Sequence, residues 1–141
     1  MREAMISVKG LLGADELGSD IELVTVGEYE RSEDMIRFRY EESELTGMEG
    51  TVTSFEVTPR TVTLTREGTV TMQLMFEEGR RNFFVYNTPF GTFTLGIETL
   101  GISSTLGAEG GRLSVRYIIE MPDRTSVRTE YSIDIKLTGK D

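Results

Sequence analysis

The sequence predicts an all-β protein: an antiparallel up-and-down barrel of about eight to ten strands. Three observations predict it. The dominant period of the chain is two, so side chains alternate between an apolar and a polar face over run after run. The punctuation between runs is short and turn-like, which suits antiparallel neighbours, whereas parallel strands need long crossovers. Several runs approach ten residues or more, and long strands with one apolar face are best served by closure, which removes the edges.

In chain order the expected strands are 4–11, 20–30, 34–42, 49–58, 60–66, 69–78, 82–88, 92–105, 111–121 and 124–137. "DMIRFRYEE" sets Ile36, Phe38 and Tyr40 against Met35, Arg37, Arg39 and Glu41. "TVTLTRE" sets Val62 and Leu64 against three threonines, and the chain's 18 threonines fit the strand preference of branched side chains. Val70, Met72, Leu74 and Phe76 share one phase, as do Phe93, Leu95 and Ile97. Leu113, Val115, Tyr117 and Ile119 share another, and the last run gives Val127, Tyr131, Ile133, Ile135 and Leu137. Phe38, Phe55, Phe76, Phe93, Tyr117 and Tyr131 all fall in core phase. No stretch shows an amphipathic helix, and residues 12–19 read as a loop or one helical turn. "LGAEGG" and "LTGMEG" read as hairpin turns rather than phosphate loops, because neither has the Gly-Lys-Ser/Thr ending.

"YNTPFGTF", Tyr86 to Phe93, is a stop, a tight connection and a restart. Pro89 cannot donate to a ladder, and it pushes Thr88 towards extended backbone. Gly91 tolerates positive φ. Its expected role is to set register between two long strands.

A chain of 141 residues suits one domain, 1–141. Cysteine and histidine are absent, which removes disulfides, thiolate metal sites, the commonest metal ligand and the usual acid–base residue near neutral pH. No metal or other cofactor is expected, and the inventory leans away from an enzyme, although carboxylates alone can do acid–base work. The net charge of −9 resides in residues 1–58, which hold 14 acidic and 5 basic side chains; the remainder is balanced. That argues against nucleic acid and anionic membrane as partners. The absence of cysteine makes the cytoplasm the expected compartment.

The same residues carry a family resemblance. "YNTPFGTFTLGIETLGISSTLGAEGGRLSVRYIIE" resembles the C-terminal half of the YwiB-like family, a bacterial domain of unknown function. "VTVGEYE", "YEESELTGMEGTVTSFEV" and "VTLTREGTVTMQLMFEEG" match it too, through Arg66, Gly68, Phe76, Gly79, Tyr86, Thr88, Pro89 and Gly91. The resemblance covers roughly residues 5–137 and implies a calycin-like, that is lipocalin-like, barrel. It implies no activity, and ligand binding only by analogy of fold.

Two charges break the binary pattern. Glu42 continues the phase of Ile36, Phe38 and Tyr40, and Arg66 continues that of Val62 and Leu64. Both are expected to point into the barrel near one end, and a buried charge needs a partner. The sequence therefore predicts a Glu42–Arg66 ion pair, joined by Glu44 or Tyr86. Its functional reading is a ligand anchor built from Glu42, Arg66 and Tyr86; its structural reading is an internal strut. Arg37 with Arg39, and Arg112 with Arg116, share faces and are expected to bind carboxylates across the exterior. Met75, Phe84 and Ile118 are read as exterior apolar residues, candidates for a homodimer interface. Two functions stand side by side: a barrel binding a small ligand inside or at its mouth, and a non-enzymatic interaction domain acting as a homodimer.

Overall fold

Alternation becomes strands here because each run can bury one face only against the others. The computed structural model describes residues 1–10, 22–121, 123 and 125–139. The loop or helical turn expected at 12–19 lies outside them. The described strands are β1 (Arg2–Lys9), β2 (Glu22–Arg31), β3 (Ile36–Glu41), β4 (Val52–Val57), β5 (Thr61–Glu67), β6 (Met72–Glu77), β7 (Arg81–Thr88), β8 (Gly91–Ser104), β9 (Gly110–Glu120) and β10 (Ser126–Leu137). A 3₁₀ turn, Glu44–Thr46, lies between β3 and β4.

All pairings are antiparallel, in the order β6-β5-β4-β3-β2-β1-β10-β9-β8-β7. The expected up-and-down barrel is therefore present, with ten strands, and β1 against β10 closes one side. A seam remains between β6 and β7, although they are neighbours in sequence. One bridge, Thr71 with Asn87, spans it near the lower end. At the upper end the turn between β6 and β7 bonds to β8 instead: Gly79 N–H donates to Thr99 C=O, and Thr99 N–H to Arg80 C=O. Asn82 Nδ2 donates to Met75 C=O at 3.0 Å and covers one further acceptor along the seam. The barrel is thus nearly closed.

Alternate turns fall at opposite ends. The β2–β3, β4–β5, β6–β7 and β8–β9 connections form the upper end; segment 42–51 and the β5–β6, β7–β8 and β9–β10 connections form the lower. Pro89 and Phe90 form a two-residue β7–β8 connection, with Thr88 opposite Gly91 and Gly91 at φ +137°. "LTGMEG" is not a simple hairpin turn but part of a longer crossing of the lower end, in which Met48 is buried.

The middle of the barrel is filled by aromatic rings. Phe38 stacks on Phe55 with centroids 4.7 Å apart, and Tyr29 stacks on Phe38. Phe76, Tyr117 and Tyr131 meet edge to face at 5.3, 5.5 and 5.9 Å, and Phe55 tilts against Tyr131. Burying a side chain of this size contributes about 1.5–3 kcal/mol. Phe93, expected in the core, is only partly buried. Outside, register places arginines opposite carboxylates: Arg37–Glu56, Arg39–Glu28 and Arg112–Asp134. Three of the four expected arginines form the cross-strand ladder, while Arg116 lies over Gly101 with no ion pair among the described residues; exposure makes the ladder a weak contributor to stability.

Candidate functional site

One row of the register runs Tyr40, Thr53, Arg66, Met72 across β3, β4, β5 and β6. It places a guanidinium inside the lower barrel. Glu42 follows β3 and reaches the same space; both charged side chains are 1% exposed. Arg66 Nε lies 3.9 Å from Glu42 Oε2, so the expected ion pair forms. Glu42 also accepts from Thr46 Oγ1 at 3.1 Å and Thr53 Oγ1 at 2.5 Å. Arg66 Nη1 donates to the Tyr86 hydroxyl at 2.5 Å, and that hydroxyl donates to Met48 Sδ at 3.6 Å. Tyr86 joins the network; Glu44 is exposed and does not.

The network fastens the 42–51 segment across the lower end. Thr51 Oγ1 accepts from Val70 N–H, and Thr69 Oγ1 donates to Glu49 C=O. Glu42, Arg66 and Tyr86 thus link the end of β3 to β5 and β7 inside the lower barrel. Burial pushes the Tyr40 phenol far above its ordinary value; Glu42 adds to the rise, while Arg66 and a hydrogen bond with Thr53 oppose it. The pattern in sequence revealed Glu42 and Arg66 but not Thr46, Met48 or Thr51, because segment 42–51 has no strand period to read; Thr53 shares the inward phase of Phe55 on β4 but carries no charge to mark it.

The upper end is different. Four connections surround a cleft of about 650 Å³. Ile36, Val57, Ile102 and Leu106 line it and are buried or half-buried; Arg31, Glu33, Asp34 and Arg60 line it and are exposed. Glu77 and Glu78 also border it, but Glu77 pairs with Arg80, and Glu78 Oε1 accepts the Ile102 N–H. The β8–β9 connection is held beside the opening by the Tyr29 hydroxyl, which donates to Gly107 C=O at 2.6 Å. Sequence reasoning missed this cleft, since its lining comes from four turns far apart in the chain.

The three apolar interface candidates do not form one patch. Met75 is 45% exposed, and Ile118 is half-buried on the exterior phase of β9. Across the seam, β7 and β8 stand between them, about 14 Å by strand spacing. Phe84 is a correction: it is buried, 6% exposed, and points inward. It lies two residues from Tyr86, so the two must share a face, and Tyr86 is inside. The outward apolar residues of β7 are Phe83 and Val85, 65% and 51% exposed. Among the described residues no group of three or more His, Cys, Asp or Glu is placed to hold a metal ion, and no helix is long and apolar enough to cross a membrane.

Fold and ends together define a ten-stranded antiparallel β-barrel with a buried polar network at its lower end and a cleft at its upper end. The chain belongs to the family described as domain of unknown function (DUF1934), which matches residues 6–135. It is similar to the ywiB protein of Bacillus subtilis, known from a crystal structure: TM-score 0.79 and 24% identity, over 96% of this chain and 92% of that one. At that identity the likeness shows the fold. No curated protein matches the chain.

Proposed function

We propose that this barrel binds a small amphipathic molecule at its upper mouth. The observation that carries the reading is the cleft of about 650 Å³, with apolar residues deep and charged residues shallow. Its volume falls within the roughly 300–1,000 Å³ of small-molecule sites. Ile36, Val57, Ile102 and Leu106 would cover an apolar body. Arg31 and Arg60, with Glu33 and Asp34, offer both signs of charge to a polar head. The calycin-like barrel that the family resemblance implies supports the reading by analogy alone, and a cytoplasmic setting belongs to the same proposal. Leu106→Trp fills the cleft and should exclude the ligand; a variant that retains it would count against the mouth as the site.

A second reading has its own observation. Met75, Phe83 and Val85 expose apolar side chains on the two strands that flank the seam. Exposed apolar clusters mark interfaces, and a second copy of the chain is the partner in this reading. A dimeric mass with no small molecule attached would favour it over the first.

A further inference from the structure

Arg66, Tyr117 and Tyr131 bring polar atoms into the barrel that the protein itself does not satisfy. Arg66 is 1% exposed and both tyrosines 0%. Arg66 Nε and the two phenolic oxygens have no hydrogen-bond partner among the described residues. A buried donor left unpaired costs more than a typical hydrogen bond gains, so such groups normally have a partner, protein or otherwise.

Packing does not account for the hydroxyls. The edge-to-face contacts of Tyr117 and Tyr131 with Phe76 and with each other involve the rings alone, and Phe would make them equally well. Nor does the Glu42–Arg66 network account for them. Its members find one another: Tyr40 with Thr53, Glu42 with Thr46 and Thr53, Arg66 Nη1 with Tyr86. A fourth polar atom without a partner, Thr99 Oγ1, sits on β8 directly opposite Tyr117. The Tyr117 and Tyr131 rings meet 5.9 Å apart inside the same barrel that buries Arg66, and burial raises both phenol pKa values while the Arg66 charge opposes the rise.

We propose that Arg66 Nε–H and the hydroxyls of Tyr117 and Tyr131, with Thr99 at the margin, form an interior binding site for a neutral oxygen acceptor. The available donors are one N–H and two or three O–H groups, so the guest presents oxygen lone pairs. It is neutral because Glu42 already balances Arg66; an anion would add an uncompensated buried charge. Two sources share this chemistry. One is ordered water, which typically makes about three such bonds at a buried polar site. The other is a carbonyl or hydroxyl oxygen of a small molecule. The site is separate from the mouth cleft, whose lining shares no residue with it.

The sign of a conservative substitution tests it. Tyr117→Phe and Tyr131→Phe keep the ring contacts and remove only the hydroxyls. If a guest bonds them, each variant should raise the unfolding equilibrium constant about two- to tenfold in urea denaturation. Variants as stable as the parent, or more so, would show that the hydroxyls are simply desolvated and would overturn the proposal. A high-resolution crystal structure of the parent should show an atom within hydrogen-bond distance of Arg66 Nε and of a tyrosine hydroxyl; continuous emptiness there would overturn it equally. Water and ligand separate by native mass: the sequence mass with an ordered atom marks water, and an excess mass that survives Leu106→Trp marks a bound molecule.

Discussion

Glu42 and Arg66 are the only charged side chains buried among the described residues, so their removal should dominate the residue scale. Glu42→Gln leaves a guanidinium in the interior without its counter-charge, and should destabilise by about 3–5 kcal/mol. Arg66→Met leaves Glu42 with its two threonine donors but no cation, and should cost a comparable amount. The double variant should cost clearly less than the two combined, because no stranded charge remains. A urea-denaturation cycle measures this; strict additivity would mean that the 3.9 Å pair carries no coupling. Both residues were legible in the sequence because each is a charge in an apolar phase. The tyrosine hydroxyls were not, since Tyr117 and Tyr131 count as core aromatics whether or not their oxygens have partners. Phe84 was misread because "NFFVYN" is apolar on both faces, and only its distance from Tyr86 fixes which face is inner.

At the scale of elements, period two located all ten strands, with ends shifted by up to a few residues. Irregular backbone escaped it. In β8 the register shifts between Thr99 and Gly101, so the inward phase moves from the odd residues 93–99 to Ile102, and Leu100 is left 37% exposed. A bulge of this kind adds one residue without a compositional mark. The 42–51 crossing likewise looked like a hairpin turn, yet it meets the β5–β6 turn at Gly68. Gly68 has φ +140°, and a Cβ there would collide with the Gly50 carbonyl oxygen and lie 2.8 Å from Thr51 Cα. Gly68→Ala should therefore destabilise by about 1–3 kcal/mol, through strain and through loosening of the lower end. Thermal unfolding reads this directly; an unchanged midpoint would show that the crossing yields without cost.

For the whole molecule, the buried phenols set the response to alkali. Burial raises the pKa of Tyr29, Tyr40, Tyr117 and Tyr131 above the ordinary phenol value of about 10. The folded state then holds protons that the unfolded state releases, so stability is intact below about pH 10 and falls as pH rises further. The phenols should ionise together with cooperative unfolding; gradual ionisation near pH 10 in an intact fold would contradict their burial. At this scale the sequence was most informative, since alternation, turn spacing and length were enough for the barrel. It said least about the mouth, which exists only once the barrel has brought four turns together. The central claim is that the mouth holds a small molecule, and native mass spectrometry of the protein purified from its own host tests it most directly. The account predicts one small molecule per chain, lost on denaturation and absent from the Leu106→Trp variant. The bare sequence mass, or an adduct that Leu106→Trp leaves in place, would contradict it.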